Sequence, residues 1–99
     1  YTGDARDDYA FVRTVIPVKL MQYEGEALMS RSQAKRLIMR FERFREVVLN
    51  FEGVKTIGQA FADEIFRVFK NAHSEVNLMI DNADDSILNM VNWVKKSPL

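Results

Sequence analysis

The stretch VVLNFEGVKTIGQAFADEIFRVF, residues 47–69, contains three structural signals in succession. The nearly continuous apolar run of residues 47–51 predicts a strand that is covered on both faces. Gly53 ends this strand, and a short link leads to a second apolar pattern, now at helical spacing, that starts near Gly58 or Gln59. The stretch therefore predicts a buried central strand, a loop and an amphipathic helix that packs against the strand.

The helix in this stretch has one apolar stripe and a charge order that suits its dipole. Asp63 and Glu64 lie in its first turns, and Arg67 and Lys70 lie near its end. The helix is therefore expected to bury one side and to expose the other. The predicted stripe consists of Ala60, Phe61, Ile65, Val68, Phe69 and Ala72.

Two short strands are predicted before the central strand. Residues 9–21 are rich in residues that favour extended structure, and Pro17 marks an edge position or a break because it cannot donate a ladder hydrogen bond. Glu24 and Gly25 favour a turn, after which residues 26–29 can return as a partner strand. Apolar residues on both faces leave the register of these strands open.

A helix follows at Ser30. With Ser30 as the N-cap and Gln33 as the third helical residue, the sequence matches a capping box. Apolar residues then recur at three- and four-residue spacing, which predicts one buried side. Residues 31–45 contain six basic residues and one acidic residue, Glu42. This basic helix is the strongest local charge bias in the chain.

A third apolar run and a last helix complete the predicted fold. Residues 76–80 predict a strand, residues 81–85 supply N-cap candidates for the helix that follows, and Pro98 ends that helix. Strands that alternate with helices predict an α/β domain, with a mixed β-sheet of about four strands and three helices packed against it. We expect this single domain to comprise residues 9–96, and we interpret residues 1–8 as a disordered linker remnant of a longer protein.

The composition excludes several classes of function. The chain has 99 residues, 14 of them basic and 14 acidic, and no net charge. No global field therefore draws it to nucleic acid or to anionic lipid. It has no cysteine, which excludes disulfides, thiolate metal sites and cysteine nucleophiles. No apolar run approaches the length of a membrane span, and we expect a cytoplasmic protein.

No catalytic or metal-binding set can be assembled from these residues. His73 is the only histidine, and its neighbours have no known metal-ligand spacing. The consecutive carboxylates of Asp63 and Glu64 point about 100° apart on a helix, and the helix dipole accounts for both. We therefore expect a protein that is not an enzyme and that holds no cofactor or metal.

Three segments resemble a known family: SRSQAKRL at residues 30–37, REVVLNFEGV at residues 45–54 and IGQAFADEIFRVF at residues 57–69. They are similar to the bacterial STAS-like domain family of unknown function, which is related to the STAS domains of anti-sigma factor antagonists. The resemblance implies a mixed sheet with helices packed against it. It also implies a regulatory role through protein contacts.

One feature departs from the anti-sigma factor antagonists. Those proteins typically have Asp-Ser-Ser-Gly after the isoleucine that matches Ile57, and a partner kinase phosphorylates a serine there. This chain has Gly58, Gln59, Ala60 and Phe61 at the corresponding positions, so no hydroxyl can receive a phosphate. We therefore expect a docking surface without the phosphoswitch.

The leading hypothesis is a regulatory protein-interaction domain of STAS-like type, related to signalling or transcription. The resemblance suggests a kinase-like ATPase domain, in the same chain or operon, as the protein partner. Gln59 is the favoured contact residue because an uncharged polar side chain at a helix start can donate and accept hydrogen bonds. The predicted partner-binding residues are Thr56, Gly58, Gln59, Asp63, Glu64, Ser30, Arg31 and Ser32.

Two alternatives stay open at this point. In the first, a small ligand or nucleotide binds the helix N-terminus at Gly58, because backbone N–H groups and the helix dipole favour anions there. In the second, the basic helix of residues 31–45 binds nucleic acid, which predicts a steep dependence on salt.

Overall fold

A computed structural model describes residues 12–22 and 26–96 of the chain. Three strands, β1 (Arg13–Pro17), β2 (Glu46–Asn50) and β3 (Asn77–Asp81), form a parallel sheet in the order β1-β2-β3. The continuous apolar run therefore lies in the middle of the sheet, which confirms the predicted central strand. A short 3-10 turn follows β1.

Three helices, α1 (Arg31–Phe41), α2 (residues 59–72) and α3 (Asp85–Lys95), pack on one face of the sheet. α2 contacts both α1 and α3 and therefore lies between them. Crossovers between parallel strands are right-handed, so strands in sequential order carry their connecting helices on the same face. The described part of the chain is thus a two-layer α/β domain.

The two faces of the sheet differ. Val47 and Leu49 of β2 are completely buried and belong to the core under the helices, whereas Val48 lies on the opposite face. In the strand register, Val48 stands between Val15 of β1 and Met79 of β3. Both of these neighbours are partly exposed. The largest fully buried side chains are Phe41, Phe51, Phe61, Leu49, Ile65 and Ile87.

The prediction of a partner strand at residues 26–29 is wrong. Within the described ranges the sheet has three strands, all parallel, and not about four in a mixed arrangement. The side chain of Gln33 accepts a hydrogen bond from the N–H of Met29 and donates one to the carbonyl of Ala27. These bonds occupy backbone groups that a strand ladder would use. The predicted turn at Glu24 and Gly25 lies outside the described residues, as does the linker at residues 1–8.

α2 is one continuous helix in three segments: α-helical Gln59–Asp63, π-helical Glu64–Phe69 and α-helical Lys70–Ala72. The π segment has i→i+5 hydrogen bonds and wider turns, so the side chains within and after it point in different directions from those of a regular α-helix. Val68 and Ala72, which were predicted to lie in the buried stripe, are therefore exposed. The buried residues of α2 are Phe61, Ala62, Asp63, Glu64, Ile65, Phe66 and Phe69.

The predicted start of α3 is confirmed. Asp84, one of the N-cap candidates, accepts a hydrogen bond from the N–H of Ile87 at 3.3 Å. Ile87, Val91 and Val94 are buried, and they attach the helix to the core. Pro98, which was predicted to end this helix, lies outside the described residues.

Candidate functional site

Gly58 forms the joint between the β2–α2 loop and α2. It is the N-cap of α2 and is buried, and no side chain caps the helix there. The N–H of Gly58 donates a hydrogen bond to the carbonyl of Leu28 at 2.8 Å. A Cβ at this position would lie 2.9 Å from the Cα of Met29. Gly58 is therefore required by the close approach of the segment before α1, which covers this side of the helix start.

Asp63 and Glu64 lie in the interface between α1 and α2. Their exposed fractions are only 6% and 8%, so their side chains present little surface to a partner. Arg31 Nη1 lies 2.8 Å from Asp63 Oδ2 and 3.3 Å from Glu64 Oε1. Arg67, one turn later in α2, donates to Asp63 Oδ2 at 2.9 Å. These four residues form an ion-pair cluster that connects the start of α1 to the middle of α2.

The charges in this ion-pair cluster stabilise one another. The hydrogen bond from Arg67, followed by that from Arg31, holds the pKa of Asp63 below its usual range, although burial of the carboxylate acts in the opposite direction. Asp63 in turn raises the pKa of both guanidinium groups. Asp63, Arg31 and Arg67 are therefore charged near neutral pH, and the cluster acts as a structural connection between two helices.

Ser30 and Ser32 lie with Arg31 at the N-terminus of α1. The Ser30 hydroxyl accepts a hydrogen bond from the N–H of Gln33 at 3.2 Å, and the Gln33 side chain accepts one from the N–H of Ser30 at 2.8 Å. The predicted capping box is thus confirmed. Ser30 and Ser32 are both exposed, with their hydroxyl oxygens 3.1 Å apart.

Thr56 and Gln59 are the exposed members of the predicted set on the β2–α2 side. The Thr56 hydroxyl accepts a hydrogen bond from the hydroxyl of Ser86 at 3.3 Å, which links the loop to the first turn of α3. Gln59 borders an open groove of about 450 Å³ between α2 and α3. The groove is lined by Gln59, Ser86, Asn89, Met90 and Trp93.

Of the five lining residues, only Gln59 belongs to the predicted set, and the most prominent residue that the sequence interpretation missed is Trp93. Its exposed fraction is 56%, which is large for a tryptophan in a folded domain. The sequence did contain a signal, because Ser86, Asn89, Met90 and Trp93 recur at three- and four-residue spacing next to the buried stripe of α3. The position of Gln59 across from this second stripe depends on tertiary packing.

The predicted basic helix of residues 31–45 is shorter in the structure, because α1 ends at Phe41. Its basic face is partly neutralised by carboxylates from other segments. Arg31 faces Asp63 and Glu64, and Arg36 pairs with Glu26 at 2.8 Å. Nucleic-acid binding depends on a positive surface that remains available to phosphates. These ion pairs therefore disfavour α1 as a nucleic-acid interface.

His73 lies at the end of α2. His73 stacks on the ring of Phe69, with centroids 4.6 Å apart, and its Nδ1 lies 3.6 Å from a carboxylate oxygen of Glu75. Residues 12–22 and 26–96 contain no cluster of side chains that could hold a metal ion. Among the same residues, no helix has the length and apolar character to cross a membrane.

The fold and the groove define a small α/β domain with a surface groove beside its central helix. Residues 33–88 match the family model described as the STAS-like domain of unknown function (DUF4325). Since the match covers more than half of the chain, the chain belongs to this family. The family suggested by the sequence segments is thereby confirmed. No curated protein and no solved structure gives a significant match to the chain.

Proposed function

We propose that this domain is a non-enzymatic regulatory module that binds a protein partner in the groove between α2 and α3. The observation that supports this proposal most strongly is the open groove that Gln59 and the exposed Trp93 both line. Tryptophan is enriched among the residues that dominate protein–protein binding energies. An anchor of this kind is consistent with recognition of an apolar side chain of the partner.

The chemistry of the groove favours a protein over an anion. Its lining residues are uncharged. Met90 and Trp93 supply apolar surface, while Gln59, Ser86 and Asn89 supply hydrogen-bond donors and acceptors. Protein interfaces likewise combine apolar contact surface with polar groups that form hydrogen bonds. A phosphate would meet no basic side chain in this lining.

Regulation of this docking surface must act through something other than phosphorylation of the α2 start. Gly58, Gln59, Ala60 and Phe61 contain no hydroxyl, and Phe61 is completely buried. The proposed partner is a kinase-like ATPase domain in the same chain or operon, in the cytoplasm. Such a partner would recognise the groove by shape and hydrogen bonding, and its own conformational state would control the contact.

Trp93 provides a direct test because it is the only tryptophan of the chain. Purified proteins encoded in the same operon, beginning with any ATPase domain, are titrated into the domain while its tryptophan fluorescence is recorded. Each partner is prepared without tryptophan, so that Trp93 is the only source of the signal. We expect a saturable shift of the emission. By calorimetry, Trp93→Ala is expected to weaken binding by more than about tenfold.

The matched control is Met39→Ala, because Met39 is also a strongly exposed apolar side chain but lies on α1. Binding to this variant is expected to equal that of the wild type. Equal affinity of a partner for the wild type and for Trp93→Ala would refute the groove as the docking site. A saturable rise in melting temperature with nucleotides, without any protein partner, would favour the small-ligand alternative instead.

A further inference from the structure

Among residues 12–22 and 26–96, β1 and β3 are the edge strands of the sheet, and their chemistry differs. β1 ends in Pro17, which lacks an N–H, and it starts with the exposed, charged Arg13. Proline and basic residues are common devices that prevent an edge strand from pairing with another chain. β3 has the sequence NLMID, with no proline and no basic residue. β3 has a charge only at its last residue, Asp81, and is therefore less protected than β1.

Hydrogen bonding identifies the backbone groups at the outer edge of β3. The N–H of Asn77 donates to Arg45 at 2.7 Å, and the carbonyl of Asp81 accepts from Phe51 at 2.9 Å. Residues 77, 79 and 81 thus direct their backbone groups toward β2, and the alternate residues Leu78 and Ile80 direct theirs outward. Among the residues that the structure describes, no strand lies beyond β3.

The side chains of β3 suit the addition of another strand. Leu78 and Ile80 are half-buried and pack against the core on the helix-covered face. Met79 lies on the opposite face, where its exposed fraction is 36%. A strand added at this edge would cover apolar side chains on both faces and would bind the outward backbone groups.

We infer that β3 pairs with β3 of a second copy of this chain, antiparallel and about a two-fold axis at Met79, to form a continuous six-stranded sheet. In this register Leu78 lies opposite Ile80 of the second copy, and the two residues exchange backbone hydrogen bonds. The symmetry creates the same exchange on the other side of the axis. The amide of Asn77 lies opposite the carboxylate of Asp81, which is a complementary pair.

The neighbouring registers are unfavourable. Within β3, only Leu78 and Ile80 direct their backbone groups outward. A shifted register must therefore still place each of them opposite a residue whose backbone groups also point outward. One such shift brings Asn82 into the ladder, but Asn82 has φ of 55° and is not extended. The opposite shift places Asp81 across from Glu75, and like charges directly opposite are destabilising. The register centred on Met79 avoids both problems.

The β3 edge and the proposed docking groove are different surfaces. The helices follow the order of the strands, so α3 is the outermost helix on the β3 side. The groove residues lie on the flank of α3 that faces α2. Leu88 lies on the other flank and is partly exposed. Pairing of β3 uses the backbone edge of the sheet and none of the groove residues, so this inference and the proposed function can fail independently.

The mass in solution tests the inference. Light scattering during size-exclusion chromatography, at high micromolar concentration, is expected to give twice the chain mass of 11.5 kDa. Met79→Lys and Met79→Glu each place like charges at the two-fold axis, and each variant alone is expected to be a monomer. An equimolar mixture of the two variants is expected to recover the dimer mass because the charges are then opposite.

Val15→Lys is the matched control, because Val15 lies in the same row of the same face but on β1. This variant is expected to remain a dimer. A monomeric wild type at every concentration would overturn the inference. A dimer that persists in Met79→Lys would also overturn it. Circular dichroism establishes that the variant is folded.

A crosslink tests the register. The chain has no cysteine, so Met79→Cys introduces a single thiol at the two-fold axis. The Cα atoms of such a non-hydrogen-bonded pair lie about 4.5 Å apart, within the range that a disulfide spans. With copper phenanthroline as the oxidant, two thiols lose their protons and two electrons and form one S–S bond. Met79→Cys is expected to give a covalent dimer and Val15→Cys a monomer; equal crosslinking of both would refute the register.

Discussion

The first and second helices of this domain begin in different ways. At the start of α1, Ser30 and Gln33 satisfy each other's backbone groups in a capping box, so four successive residues complete the cap. At the start of α2, Gly58 has no side-chain cap and is instead held by Leu28 and Met29, which lie far away in sequence. One helix start is thus determined locally and the other by tertiary contact.

The two helix starts are also connected. Arg31, the first residue of α1, pairs with Asp63 and Glu64 in α2. The segment before α1 lies against Gly58 at the start of α2. We therefore expect a substitution in either region to affect the other through these contacts. Substitutions can separate the local contribution from the tertiary one.

The largest effect is expected for Gly58→Ala. Its Cβ would lie 2.9 Å from the Cα of Met29, and because that atom belongs to the backbone, the two segments must move apart. Overpacking of this kind costs about 1–3 kcal/mol, measured as the free energy of unfolding in urea. Adding Met29→Ala should recover only part of the loss, since the backbone contact remains. Lys55→Ala, in the same loop, should change the free energy of unfolding little. If it destabilises the domain as much as Gly58→Ala does, the close contact with Met29 is not the cause of the loss.

An intermediate effect is expected for Asp63→Asn, which removes the charge that binds Arg31 and Arg67. The folded pKa of Asp63 lies below its unfolded value of about 3.9. Its stabilising contribution is therefore complete above that value and is lost as the pH falls through the folded pKa. Compared with the wild type, Asp63→Asn should be less stable at neutral pH and should lose less stability in acid.

Thermal unfolding between pH 7 and pH 2 measures this difference. Asn71→Ala is the control because Asn71 is an exposed residue of the same helix without a titratable group, and its acid profile should remain that of the wild type. If Asp63→Asn and the wild type lose stability in parallel across the acid range, the ion-pair cluster does not contribute as described.

The smallest effect is expected for Ser30→Ala, which removes the local cap of α1. Loss of an N-cap hydroxyl costs about 1 kcal/mol, again measured by urea unfolding. Ser30→Asp keeps an acceptor at the N-cap and should restore most of the stability. If Ser30→Ala is as damaging as Gly58→Ala, the start of α1 depends on more than its local cap.

The elements that could be predicted are those with a local signal. The apolar run of residues 47–51, the capping box at Ser30 and the N-cap at Asp84 all depend on residues close in sequence, and the structure confirms each. The predicted strand at residues 26–29 failed because the Gln33 side chain and Gly58 bind its backbone groups. The exposure of Val68 could not be predicted because a π-helical segment has no clear sequence signature.

The candidate site was only partly predictable. Gln59 and Thr56 are exposed, as expected of contact residues, but Asp63 and Glu64 are buried in the ion-pair cluster. Trp93 lies more than 30 residues after Gln59 in sequence, and only the packing of α3 against α2 brings both to one groove. A pattern within one helix identifies a face of that helix, but it does not identify the segment across from that face.

The sequence by itself determined the family, the alternation of strands and helices, and the local caps, because short-range patterns of apolar and capping residues specify them. The tertiary structure decided the rest: that the described strands are all parallel, that Gly58 is a close-packing residue, and that Gln59 and Trp93 share a groove. The physical reason is that these features depend on contacts between segments distant in sequence. Residues 47–69 show both effects. Their strand and helix are specified by local sequence, whereas the joint at Gly58 is specified by contacts with Leu28 and Met29.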